Sequence, residues 1–281
     1  SMPPLGIAYL ESYIEKQGYT PAILDLNLEV WRSVPEELKS LWKEENYHQW
    51  ATFEEAEAIW EQIKPYVVNV LSDCLSKTRA LYIGISVTHG SIFVLQWFLP
   101  LIRKLSNNAT IIVGGWGCVD RLLRELFKPY AVDMFVIGEG EVTACEILKY
   151  GLKRPYIRIP GTISGAIPAG NHDYVPREPH PDLNVLPFPT FKRFNLDGYT
   201  TRCLPLLMSR GCIGTCSFCN DSKYTRPYRY RIAERIFEEM KYHSIHNQRN
   251  NFSFKDLLCN GMLSELNKLC EFIIASGIPL F

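Results

Sequence analysis

Two hydrophobic rhythms alternate along this chain. Near-continuous apolar runs occur at Ala22 to Leu26, Leu81 to Ser86, Thr110 to Gly115 and Met134 to Gly138. Such runs suit the strands of a parallel sheet buried on both faces. Between the last three runs, and after the final one, apolar residues recur at helical spacing over 92–105, 121–127 and 142–149. An earlier helix is predicted to start at Pro3-Pro4, to carry Ile7, Leu10 and Ile14 on one face and to stop at Gly18. The alternation predicts an α/β domain over residues 1–150, a doubly wound parallel sheet of the Rossmann-like or flavodoxin-like kind.

Residues 30–78 break that alternation. Trp31, Leu38, Leu41, Trp42, Trp50, Phe53, Trp60 and Ile63 keep helical spacing, so a helical insertion is expected, interrupted near Pro65. Its tryptophans read as packing residues rather than as a platform for a flat ligand, because aromatics on helical faces mostly fill core. From residue 151 to about 200 prolines crowd the chain, which predicts an extended linker between domains. His172, Asp173 and His180 within it read as solvated loop residues. After the linker, Leu204 to Met208 predicts a strand, 231–242 a helix, 251–258 a strand and 263–275 a helix stopped by Gly277. Ile278 to Phe281 then opens a third strand, so 201–281 reads as the start of a β/α barrel.

Composition narrows the class. With 281 residues the chain is long enough for about two domains. Its 30 basic and 30 acidic residues cancel, so nothing recommends nucleic acid or an anionic membrane as partner. No apolar run approaches the ~20 residues of a membrane span, and no basic start leads into a signal-like core. Nine scattered cysteines, an odd count, point to a reducing compartment and a cytoplasmic protein rather than to a disulfide framework.

The candidate chemistry sits in Ser209-Arg210-Gly211-Cys212-Ile213-Gly214-Thr215-Cys216-Ser217-Phe218-Cys219. A C-x3-C-x2-C run puts three thiolates on one loop, able to converge on an iron-sulfur cluster while leaving one iron without a protein ligand. A structural zinc knot is the competing reading, but such sites usually show four ligands and no second cysteine pair or close histidine follows Cys219. A second set of candidates ends the apolar runs: Ser86-Val87-Thr88, Gly114-Gly115-Trp116 and Gly138-Glu139-Gly140-Glu141. Ligands of open α/β sheets lie beyond the carboxyl ends of the strands, where glycine permits close approach. Strand-to-helix turns need glycine in any case, so these residues alone leave a cofactor role open.

The RGC-x3-C-x-F-C run resembles the radical S-adenosylmethionine enzymes. That resemblance implies that Cys212, Cys216 and Cys219 ligate a four-iron four-sulfur cluster. Its fourth iron would hold S-adenosylmethionine and release a 5′-deoxyadenosyl radical. It also carries over Phe218 to the adenine, and Asp256 with Asn260 to the methionyl amine. PPLG-x-AYL, G-x-S, VGG and IGEGE look like the cobalamin-binding domain that precedes the barrel in one branch of the family. By that likeness Ser86, Val87, Thr88, Gly114, Gly115, Trp116, Gly138, Glu139, Gly140 and Glu141 face the corrin. No D-x-H-x-x-G is present, so base-off cobalamin is expected, with His89 a loop residue.

Two departures are visible. The family domain opens with a strand before the Pro-Pro turn, and its barrel continues well past the two β/α units found here, so this fragment alone is expected to be inactive. The function the resemblance implies is methylation of an unactivated carbon of a small molecule or lipid, with a flavodoxin or ferredoxin as one-electron donor. Two alternatives stand beside it. One is a radical enzyme with a non-functional cobalamin domain, performing ring formation or sulfur insertion; the other is a non-catalytic metal- or corrinoid-binding fragment.

Overall fold

The computed structural model describes residues 1–50, 52–88, 92–119, 121–127, 132–151, 159–165, 174–219, 221 and 227–280. They form two compact units, Leu24–Arg177 and the pair of segments Ser1–Ile23 with Glu178–Phe281. The expected division at 1–150, 151–200 and 201–281 is drawn differently. The first helix, α1 (Leu5–Lys16), falls with the C-terminal segment.

In the unit Leu24–Arg177 the expected strand at Ala22 to Leu26 does not form. Asp25 accepts a hydrogen bond from the Leu28 amide at 3.2 Å and caps α2 (Leu26–Ser33). A capped helix satisfies backbone donors that an isolated strand would leave unpaired. The short α3 (Glu36–Lys39) and the long α4 (Phe53–Thr78) complete the predicted helical insertion. Thr52 caps α4 by accepting from the Glu55 amide, and Ala56, Ile59, Trp60, Ile63, Val67 and Leu71 make its buried stripe. The expected interruption at Pro65 is absent, since α4 runs through it. Pro65 lies on the exposed face, where water can satisfy the carbonyl that its missing N–H leaves free.

The sheet is β1 (Tyr82–Ser86), β2 (Thr110–Gly114), β3 (Met134–Val136) and β4 (Thr162–Ser164) in that spatial order. The first three are parallel, with Ser86 opposite Gly114 and Val113 opposite Phe135. β4 is an antiparallel edge inside the stretch expected to be linker. The helices α5 (Ile92–Leu105), α6 (Arg121–Phe127) and α7 (Glu141–Tyr150) follow β1, β2 and β3 as predicted. Period-two alternation divides the sheet between two cores. Ile83, Ile85, Ile111, Val113 and Phe135 share one with α4 and α5, whereas Tyr82, Ile112, Met134 and Val136 meet Ile147 of α7 on the other face. Both faces are therefore covered, as a doubly wound α/β sheet requires. The insertion's Trp60 stacks on Trp97 of α5 at 5.9 Å between ring centres, so it fills core as expected.

The other unit is built on β5 (Leu204–Leu206), which pairs in parallel with β8 (Phe252–Phe254). The crossover between them carries β6 (Ser209–Arg210), β7 (Arg229–Tyr230) and α8 (Ala233–His246); α9 (Leu263–Ser276) follows β8. Leu206, Met208, Ile236, Met240 and Leu269 form the core between strands and helices. α1 adds Ala8 against Phe191 and Leu204. The stretch 278–280 is not a strand, and Phe281 lies outside the described residues.

A buried ion pair ties this unit together. Arg231 and Glu239 are 2.6 Å apart with side chains 3% and 0% exposed. Arg231 Nη1 also donates to the Leu207 carbonyl at 2.9 Å and to Tyr9 Oη at 3.2 Å. Leu207 directly follows β5 and Tyr9 lies on α1, so a single guanidinium joins the end of the strand before the cysteine loop to the N-terminal helix.

Candidate functional site

The cysteine loop leaves the carboxyl end of β5 and is closed at its base by the antiparallel β6–β7 ladder, Ser209 opposite Tyr230 and Arg210 opposite Arg229. Gly211, with φ at +89°, turns the chain out of the ladder through a conformation that side chains disfavour. Gly214 has a different task. Its amide donates to Cys212 Sγ at 3.3 Å, and a Cβ on it would stand 3.3 Å from Cys212 Sγ and 3.7 Å from Cys216 Sγ. Two of the three sulfurs thus flank one glycine. Bonds from an N–H to sulfur tune thiolate-held clusters. Cys219 donates its amide to the Cys216 carbonyl at 3.1 Å. Cys216 is exposed, Cys212 and Cys219 are half-buried, and Phe218 stands 90% exposed. Among the described residues no three His, Cys, Asp or Glu side chains converge as a metal-binding group. The loop presents its sulfurs together in sequence without drawing them to a point.

Asp256, just past β8, turns towards the base of that loop. Its Oδ2 accepts the Met208 amide at 3.1 Å, and its Oδ1 accepts the Ser209 amide. The Ser209 hydroxyl lies 2.7 Å from Oδ1 and 2.9 Å from the Leu258 carbonyl. Burial pushes the Asp256 pKa up, while the bonds from Ser209 and Met208 oppose the shift. Tyr228 lies beside them. Burial raises its phenol pKa, Ser209 pulls the other way, and the nearby Asp256, Cys259 and Cys212 raise it further. Asn260 is exposed in the turn before α9.

In the unit Leu24–Arg177 the three expected turns stand side by side at the carboxyl ends of β1, β2 and β3. Val87 is buried and its amide donates to the Gly114 carbonyl at 2.8 Å, while the Gly117 amide donates back to the Val87 carbonyl at 2.9 Å. Gly115, with φ at +94°, is packed so tightly that a Cβ would stand 2.7 Å from the Val87 carbonyl oxygen. Gly138, with φ at +87°, has nothing within 4 Å of the Cβ position. Glu141 opens α7 behind Gly140. Ser86, Thr88, Trp116 and Gly138 are exposed and make the accessible rim, with Gly114, Gly115, Glu139 and Gly140 half-buried. His89, His172 and Asp173 lie outside the described residues.

No protein-family model matches the chain. Sequence relatives are nevertheless found. An uncharacterized methyltransferase of Pyrococcus horikoshii, PH0819, is 22% identical over 245 residues, which cover 85% of this chain and 45% of the relative. The anaerobic magnesium-protoporphyrin IX monomethyl ester cyclase of Cereibacter sphaeroides is 22% identical over 99% of this chain and 41% of its own. Among solved structures, the radical S-adenosylmethionine methyltransferase TsrM from Kitasatospora setae, holding tryptophan and a S-adenosylmethionine analogue, matches 98% of this chain and 49% of its own. The TM-score is 0.67 at 16% identity. OxsB, a cobalamin-dependent S-adenosylmethionine radical enzyme solved with aqua-cobalamin and S-adenosylmethionine, matches 98% of this chain and 35% of its own, at a TM-score of 0.70 and 19% identity. Over 98% of its length this chain shares its fold with part of TsrM and part of OxsB. It spans less than half the length of each of these relatives.

Within that shared fold, the donor set of the loop fits a thiolate-held cluster: three soft sulfurs, a glycine between two of them and an amide aimed at one. The accessible rim lies at the carboxyl ends of the strands, where open α/β sheets bind ligands, and Gly138 has open space at its Cβ position. Gly115 does not, because the Val87 backbone already fills its cradle. Sequence reasoning missed Ser209 and Tyr228. Ser209 directly precedes RGC, but nothing in the spacing reveals that it faces Asp256 across 47 positions. Arg210, left unassigned from sequence, lies with its guanidinium 5.1 Å from the centre of the Tyr9 ring.

Proposed function

We propose that this chain is part of a cobalamin-dependent radical S-adenosylmethionine enzyme that methylates an unactivated carbon of a small molecule or lipid. The observation that carries the reading is a C-x3-C-x2-C loop leaving the carboxyl end of a parallel β/α strand, in a fold that TsrM and OxsB share over 98% of this chain. When bound, the cluster supplies one electron to the sulfonium of S-adenosylmethionine, and cobalamin supplies the methyl group. Cys212, Cys216 and Cys219 would hold three irons, and Gly214 both leaves them room and donates to Cys212. Phe218, with its exposed ring, supplies an apolar face beside the third cysteine. Ser86, Thr88, Trp116, Gly138, Glu139 and Gly140 would line the corrin side of the sheet, with Val87, Gly114, Gly115 and Glu141 shaping the turns beneath. A flavodoxin or ferredoxin would serve as electron donor.

Anaerobic reconstitution with iron and sulfide, followed by electron paramagnetic resonance with and without S-adenosylmethionine, tests the cluster. Wild-type protein should show a reduced four-iron signal that S-adenosylmethionine perturbs, and Cys216→Ala should lose it. Zinc in place of iron, or a signal indifferent to Cys216, would return the loop to a structural role. A ring-forming reading is kept open by the likeness to the magnesium-protoporphyrin cyclase along 99% of this chain. Methyl transfer from methylcobalamin to a product by the full-length protein would separate the two.

A further inference from the structure

The geometry points to Asp256 as the residue that positions the cysteine loop, rather than as one that holds S-adenosylmethionine. This inference rests on reading 209–219 as a cluster loop. A carboxylate offers about four lone-pair sites. Here one oxygen accepts the Met208 amide, and the other accepts the Ser209 amide with the Ser209 hydroxyl 2.7 Å away. Both oxygens therefore face the chain that enters the loop.

The carbonyl side of that chain is held separately, by the Arg231 amide on the Met208 carbonyl at 2.8 Å and by Arg231 Nη1 on the Leu207 carbonyl at 2.9 Å, and the two amides turn to Asp256. Met208 and Ser209 are each 1% exposed, so an unmet amide there would be desolvated without compensation, and bonds to a charged acceptor are worth more than neutral ones. On the far side, β6 is only two residues long and pairs with β7 through Ser209 and Arg210. Beyond Arg210 the left-handed Gly211 leads directly to Cys212. Asp256 and the short ladder together hold Ser209 from two sides, three residues before the first cysteine. The Ser209 hydroxyl, 2.9 Å from the Leu258 carbonyl, extends the brace into the turn after β8. Asp256 thus links the ends of both parallel strands of this unit at the base of the loop.

The test uses the whole chain and two readouts. In the apoprotein, amide hydrogen exchange is measured at Met208 and Ser209, with the rate of iodoacetamide alkylation at Cys212. Asp256→Ala should speed exchange at both amides about tenfold or more and change the Cys212 rate; Asp256→Asn, which keeps one carbonyl acceptor, should recover part of the protection. Unchanged exchange at Met208 and Ser209 in Asp256→Ala overturns the inference. If Asp256→Ala does not fold, Asp256→Asn and Ser209→Ala carry the same comparison. In reconstituted protein, Asp256→Asn should shift the reduced-cluster resonance recorded without S-adenosylmethionine. A resonance identical to wild type that merely stops responding to S-adenosylmethionine would instead make Asp256 a contact of that cofactor. Wild-type protein that takes up no iron would defeat the proposed function, while the exchange measurement would still decide what Asp256 does.

Discussion

Nine cysteines share this chain, and their surroundings sort them. Burial pushes the Cys118 thiol up to about 12 and the Cys145 thiol up to about 11, so neither presents thiolate near neutral pH. Cys216 and Cys270 are exposed. Alkylation of the apoprotein at pH 8, followed by peptide mass mapping, should label Cys216 and Cys270 early and leave Cys118 and Cys145 unmodified until denaturant is added. Glycines are sorted in the same way. Gly211→Ala forces a side chain into a left-handed conformation, which costs about 1–2 kcal/mol, and should lower the urea midpoint while reducing iron uptake. Gly115→Ala meets the Val87 backbone at 2.7 Å, a clash that no rotamer relieves, so it should destabilise the unit Leu24–Arg177 by more than Gly211→Ala destabilises its own. The motif residues were legible because their chemistry is local. The VGG glycine Gly115, expected as a cofactor contact, also has a packing reason that no spacing reveals.

At the scale of elements, the outcome followed how strong the local signals were. α5, α6 and α7 and the strands β1, β2 and β3 lie where periodicity placed them, because each has an apolar pattern long enough to outweigh its surroundings. The run at Ala22 to Leu26 failed because the Asp25 cap competes for the same residues and wins. β4 was invisible because three residues within a proline-rich stretch carry no pattern, and it exists only because β3 offers it an edge. The Arg231–Glu239 pair, between the residue that follows β7 and α8, gives an element-scale prediction. Glu239→Gln removes one partner and leaves a buried guanidinium without its counter-charge, which should cost about 3–5 kcal/mol in urea unfolding. Replacing both residues by apolar ones of similar volume should cost less than Glu239→Gln alone.

For the whole molecule, the informative element is α1. It was expected to begin the α/β domain, yet Ala8 is buried against Phe191 and Leu204, and Tyr9 accepts from Arg231. A chain starting at residue 24 should keep the melting transition of the unit Leu24–Arg177 and lose or lower that of the cysteine-loop unit, as calorimetry or hydrogen exchange would show. Acid should act through the same helix. Glu15 has its pKa lowered, chiefly by its hydrogen bond to Arg193 and then by Lys192. Its contribution is therefore present above the ordinary carboxylate value of 4.5 and is lost as pH falls through the lowered folded value. Glu11 is shifted the other way by burial, with Arg193 opposing, so it favours folding as pH falls. Glu15→Gln should flatten the acid-side loss of stability in melting curves recorded below pH 4.5. No helix among the described residues is long and apolar enough to cross a membrane.

By itself the sequence determined the period of each long element, the alternation that makes one unit α/β, and three thiolates on one loop. Those are properties of neighbours along the chain. Tertiary structure alone decided that α1 packs beside β5, that Asp256 faces Ser209 and that Gly115 yields its space to Val87. Each depends on residues far apart in sequence, brought together by burial that no local pattern encodes.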